Sequence, residues 1–312
     1  MIDITTTRMN HLVDPTLHVW AWQIPVYLFL GGLVAGMMII AGWFLRAGRH
    51  RTAGTVAPVL PVLGLVLLSA GMLALFLDLE HKAYVWRLYT TFEWRSPMSW
   101  GAWILVAVYP ALVLTWLMTA PGWAVVLVPR LGDWALGARR NERLIRGVAD
   151  ANIGLGVLLG IYTGVLLSSL GARPAWNSAM LGPLFLTSGL SSAAALVHML
   201  ARDRDESELL VRADNRLLLG ELALFALFFI GLASSSTAHK AAAALFFGGP
   251  YTAPFWAGII GAGIVAPLLV QSLTLTHRVR HTVIAPLLVL AGGLLLRVVV
   301  VSAGQFSHWR AF

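Results

Sequence analysis

Eight apolar runs separated by short polar connections set the pattern of this chain, at about 20–45, 55–77, 99–119, 148–170, 180–200, 217–236, 254–275 and 282–302. Each is long enough to cross a hydrocarbon core of about 30 Å as a helix rising 1.5 Å per residue. The pattern predicts an all-α integral membrane protein with eight transmembrane helices in one membrane domain, an even number that suits two four-helix bundles. The connections supply the orientation. Those that share one side (46–51, 130–146, 202–216 and 278–280) hold fourteen arginines, whereas the other side, termini included, holds seven Lys and Arg. The arginine-rich side is expected to be cytoplasmic and both termini periplasmic, in a bacterial cytoplasmic (inner) membrane.

Composition agrees with this class. With 58% hydrophobic and 12% charged residues, the chain has too little polar surface to coat a soluble globule. The net charge of +8 is spread over connections that also carry acids, so sorting of positive charge explains it and nucleic acid is not an expected partner. The chain has no cysteine, which excludes disulfides, thiolate metal sites and cysteine-ligated iron-sulfur clusters; any such cluster belongs to a partner. Haem held by two histidines needs a matched pair within the spans, and only His198 falls inside one, so no haem is expected. The first span is expected to act as its own uncleaved insertion signal.

Glycines at intervals of four, Gly32 and Gly36 in the first span and Gly156, Gly160 and Gly164 in the fourth, form smooth stripes for helix packing. The longest outward connection, residues 78–98, interleaves Asp78, His81, Arg87 and Arg95 with Tyr84, Trp86, Tyr89 and Trp94. That mixture suits the centre of a protein interface, with Arg173 and Trp176 of the next outward connection beside it; a loop lying on lipid headgroups is the alternative. The inward stretch 201–216 sets four arginines against five acids at helical spacing. It reads as a solvated helical connection without chemistry.

Ionisable groups inside a bilayer are costly, so each one within a span is a candidate for function. Depth along the spans puts Arg297, Tyr162, Asp78, Gln23 and Tyr27 at one level in the outer leaflet. This set suits a quinone headgroup, which needs partners for its carbonyls, a proton donor or acceptor and an apolar slot for its tail. Asp78 would exchange protons with the outer phase, Tyr27, Gln23 or Tyr162 would hold a carbonyl, and Arg297 would compensate Asp78 or polarise the ring. A plain ion pair of Arg297 with Asp78 is the competing reading. Near the inner side, Glu221, Asp150, Asn152 and His198 form a second group that either starts a proton path, relayed by Ser168, Ser169 and Thr163, or consists of solvated helix ends.

Four stretches, WAWQIPVYLFLGGLVAG (Trp20 to Gly36), DLEHKAYVWRLYTTFEWRSPMSWGAW (Asp78 to Trp103), GIYTGVLLSSLGARPAWNS (Gly160 to Ser178) and PLLVLAGGLLLRVVVVSAGQ (Pro286 to Gln305), together resemble the NrfD/PsrC family of polysulfide-reductase-type membrane subunits. The resemblance spans nearly the whole chain. It implies a quinone-reactive anchor, binding menaquinone or ubiquinone without haem. A periplasmic four-cluster iron-sulfur subunit would dock outside and pass electrons to a molybdopterin or multihaem cytochrome subunit. Tyr162 falls on the tyrosine that the family associates with a quinone carbonyl. Tyr27 stands where one branch has histidine and Ile24 where it has asparagine, which leaves Gln23 as the substitute partner. Asp78, Arg297 and Glu221 match polar positions of the family, and His81 of the outer connection is a further candidate for binding the cofactor. A secondary transporter or channel, and a passive anchor without quinone chemistry, are the readings in competition.

Overall fold

The computed structural model describes residues 20–49, 56–119, 137–201, 203–276 and 282–309. Every regular element among them is helical: α1 (Gln23–Arg46), α2 (Val56–Asp78), α3 (Arg87–Thr90), α4 (Pro97–Thr119), α5 (Glu142–Ser168), α6 (Leu181–Leu200), α7 (Arg204–Ser234), α8 (Thr237–Ala244), α9 (Pro254–Leu275) and α10 (Ile284–Phe306), with a 3-10 turn at Lys82–Tyr84. All except α3 and α8 are long and apolar enough to cross a membrane, which makes the eight expected spans. Both chain ends, and Arg8, Arg51, Arg130, Arg202, Arg278, Arg280 and Arg310 of the charge count, lie outside the described residues.

Two helices begin well before their apolar runs, α5 at Glu142 and α7 at Arg204. Caps explain both. The Asn141 side chain accepts from the amides of Arg143 and Leu144 at 3.1 and 3.2 Å, and Asp203 accepts from Asp205 at 3.3 Å. Each cap satisfies amides that a helix start leaves unpaired. The polar first turns of both helices therefore continue the spans without a break.

Between helices in lipid, close approach depends on small side chains more than on hydrophobicity. The centre of the fold is α1, which packs on α2, α5, α6 and α10; its most apolar stretch is 72% buried, against 28% for α7. Gly36 makes the α1–α6 contact possible, because a Cβ there would stand 2.6 Å from Ala193 Cβ and Gly189 O. Gly156 does the same for α5 against the Ala35 carbonyl of α1. Around α1, α4 packs on α2 and α5, α5 packs on α6, α6 packs on α7 and α10, and α9 packs on α7 and α10. The first twelve residues of α9, Pro254–Val265, wind as a π-helix. Pro267 follows it, with no amide hydrogen to give and a ring that presses on the carbonyl four residues earlier.

At the arginine-poor end, the α5–α6 connection is locked to the end of α10. Arg173 Nη1 donates to Ser307 O at 2.9 Å, Trp176 Nε1 donates to Val300 O at 2.9 Å, and the indole lies on Gly304, which has no side chain to exclude it. Both residues are 2% exposed. The expectation that they face a partner is corrected: both are buried, and Arg173 Nη1 and Trp176 Nε1 donate to this chain's own backbone.

Candidate functional site

Tyr27 of α1 and Tyr162 of α5 face each other, buried, with their phenols in interaction range. Gly101 of α4 gives the Tyr162 ring its place, since any Cβ there would overlap it. Tyr89, from the short helix α3, reaches toward both phenols. Partial burial, with Tyr109 nearby, pushes the Tyr89 phenol up, so it is a neutral hydrogen-bond donor at neutral pH. One turn from Tyr27, the Gln23 side-chain carbonyl is buried and has no protein partner. An apolar slot of about 380 Å³ adjoins this group, lined by Met72, Leu75, Phe76, Leu88, Tyr89 and Tyr109 among others. Met72 and Leu75 pack in the same apolar cluster as Tyr27, while Leu73 and Phe76 at the rim are exposed on the lipid-facing side.

On the opposite side of α1 lies a charged cluster. Arg297, fully buried, donates to Ser188 Oγ at 2.6 Å, Gly293 O at 2.9 Å and Phe185 O at 2.8 Å. Its guanidinium also sits 4.8 Å from the centre of the Phe185 ring. Gly32 leaves room for it, because a Cβ there would be 3.1 Å from Arg297 Nη2. The counter-charge is Glu221 of α7, buried beside Ser188 and in electrostatic reach of both Arg297 and Asp214. Asp214, two turns earlier on α7 and about 10 Å away, accepts from Ser191 Oγ at 2.5 Å and from Gln271 Nε2 at 2.7 Å. Glu206, about two turns further still, is also buried. Three polar atoms in this region, Ser192 Oγ, Gln271 Oε1 and Arg297 Nε, have no protein partner. Buried groups of this kind are ordinarily satisfied by internal water.

The common level expected for Gln23, Tyr27, Asp78, Tyr162 and Arg297 thus resolves into two places. Tyr27, Tyr162 and Gln23 come together, whereas Arg297 binds α6 and its own helix and takes Glu221 as counter-ion. It does not compensate Asp78, which is half-buried at the end of α2. Depth fixes one coordinate only, and α10 packs on α1, α6 and α9. His81 is exposed in the outer connection, its ring 6.5 Å from that of Tyr84. The group expected along a proton path also divides. Glu221 is in the charged cluster and His198 is half-buried near the far end of α6, but Asp150 is exposed and paired with exposed Arg46. Ser168 is half-buried, and its hydroxyl is spent on Val165 O at 3.0 Å.

Sequence reading missed Asp214 and Glu206, because it took 201–216 as solvated. The signal was present: Glu206, Leu210, Asp214, Leu218, Glu221, Phe225, Phe228 and Leu232 recur every three or four residues, one buried stripe into which the acids fall. In the outer connection, Trp86 and Trp94 are 55% and 65% exposed. Arg87 lies over Tyr84 and Trp86, and Arg95 over Trp94.

Eight membrane-crossing helices that enclose polar side chains define a multi-pass membrane protein. The sequence model described as "Polysulphide reductase, NrfD" matches residues 9–307; the chain belongs to this NrfD family. It is 31% identical to protein NrfD of Escherichia coli K12 over 93% of this chain and 96% of that one. It is 30% identical to a polysulfide reductase chain of Wolinella succinogenes, over 92% and 94% of the two proteins. A shorter likeness, 29% identity over 57% of this chain and 42% of the other, links it to a putative dimethyl sulfoxide reductase membrane subunit of Halobacterium salinarum.

Proposed function

We propose that this chain is the quinone-reactive membrane subunit of a respiratory oxidoreductase complex. It would be a single domain of two four-helix bundles in the bacterial inner membrane, with both termini periplasmic. In this reading it exchanges electrons between menaquinone or ubiquinone and a periplasmic iron-sulfur subunit, itself linked to a molybdopterin or multihaem catalytic subunit. The relatives support this reading by their names, which are those of components of reductases.

The observation that carries the quinone assignment is the buried Tyr27–Tyr162 pair beside an apolar slot, with the orphaned Gln23 carbonyl one turn away. The residues fit the group. The phenols would donate to quinone carbonyls, the Gln23 carbonyl would accept from a quinol hydroxyl, and the slot would take the start of a prenyl tail. Oxidation of a quinol releases two electrons and two protons; in this reading Asp78, at the end of α2, would pass those protons outward. The exposed aromatic and arginine surface of Trp86, Arg87, Trp94 and Arg95 would receive the iron-sulfur partner.

Substitution tests the reading. Tyr162→Phe and Asp78→Asn should each lower quinol-linked electron transfer on the order of tenfold, the factor worth one hydrogen bond in the transition state, with complex assembly intact. Full activity in both would leave a passive anchor.

Proton conduction forms the second part of the proposal. Glu206, Asp214 and Glu221 rise along one face of α7 to Arg297, spaced for intervening water. In proton-tight liposomes, Glu221→Gln should lower proton uptake while electron transfer in detergent is kept. Unchanged uptake would make the carboxylate only the counter-ion of Arg297.

A further inference from the structure

A further hollow lies outside the tyrosine slot and the Arg297 cluster. It is a groove of about 940 Å³ at the arginine-rich end, floored by α1 and α6 and walled by Ile153 of α5 and by α7. Its lining is apolar from Leu190 of α6 to Trp43 of α1. Leu190 is nine residues from the start of α6, or about 14 Å, near mid-membrane; Trp43 is twenty residues from the start of α1, or about 30 Å, at the far interface. The groove therefore runs the depth of one leaflet.

Its charged lining residues are Asp205, Glu208, Arg212 and Arg216. Glu208 holds Arg212 at 3.0 Å. Arg216, one turn further into the membrane on the same face of α7, is exposed and makes no ion pair or hydrogen bond among the described residues. It stands eighteen residues, or about 27 Å, from the other end of α7. A guanidinium that no carboxylate pairs, at headgroup depth and over an apolar channel one acyl chain long, is complementary to an anionic phospholipid. A zwitterionic headgroup would bring its own ammonium and satisfy the arginine less well.

We infer that this groove is a binding site for an anionic phospholipid of the arginine-rich leaflet, its phosphate on Arg216 and an acyl chain along Ile39, Ile153, Leu190 and Leu217.

The test is native mass spectrometry of the full chain, with whatever subunits co-purify, after exposure to palmitoyl-oleoyl phosphatidylglycerol or to phosphatidylcholine with the same chains. The glycerol lipid should be retained about fivefold better, the factor that one basic residue supplies at a membrane surface. Arg216→Gln should erase that preference. Ala213→Phe, which fills the groove wall, should remove both lipids, with retained helicity as the folding check. Arg143→Gln should change nothing, since the arginine hollow of Arg140, Arg143 and Arg146 has no apolar channel. Equal retention of the two lipids by the wild-type chain, or equal effects of Arg216→Gln and Arg143→Gln, would overturn the inference. So would displacement of the lipid by decylubiquinone, which would make the groove a second quinone site.

Discussion

The two polar regions on either side of α1 meet the cost of burying polarity in opposite ways. Around Tyr27 and Tyr162 no formal charge is buried; the groups are phenols and an amide, one polar atom is left unpartnered, and an apolar slot adjoins them. Around Arg297 formal charges are buried, one guanidinium among the carboxylates of Glu221 and Asp214, and α6, α9 and α10 supply their hydrogen bonds while three neighbouring polar atoms have no protein partner. A neutral pair can open to a ligand and close again without stranding a charge. A compensated ion cluster resists opening, because separating its members leaves an ion in low dielectric.

Three tests sharpen that difference, in order of falling effect. Arg297→Met strands Glu221 and should cost about 3–5 kcal/mol of stability, measured by unfolding in detergent. The double variant Arg297→Met, Glu221→Leu should recover most of it, and a double variant no better than the single would show that Glu221 is not the counter-ion of Arg297. Gly101→Leu forces the Tyr162 ring from its place. It should cost about 1–3 kcal/mol through overpacking and remove quinol-linked turnover, leaving proton uptake sites untouched. Asp150→Asn should move stability by no more than about 1 kcal/mol, since its ion pair with Arg46 is exposed on both sides, and uptake in liposomes should not change.

Much of this architecture is legible in the sequence, for reasons that also explain what is not. Eight spans follow from the length of the apolar runs, and the glycine stripes of α1 and α5 mark contacts that the structure contains, because a missing side chain has the same consequence wherever its neighbour sits. The Tyr27–Tyr162 pair was reachable from depth and resemblance together. The partner of Arg297 was not, since residues at one depth on eight helices face many directions, and only packing says which helices touch. Asp214 escaped for another reason. Charges on both faces of 201–216 resemble a solvated helix, and the buried stripe emerges only when the reading runs on into the apolar half of α7. Trp176 and Arg173 resembled interface residues because the same side chains that anchor a partner also anchor a chain to itself.

One consequence follows from the bare flank of α1. Its Gly32 and Gly36 bring the main chain directly against the guanidinium of Arg297 and against α6, while Tyr27 projects from the other flank. This helix is a party wall about 10 Å thick. Whatever seats itself on the phenols and tilts that wall must shift the peptide groups pressed on the arginine, so occupancy on one flank can be felt by the carboxylates on the other without any side chain shared between them.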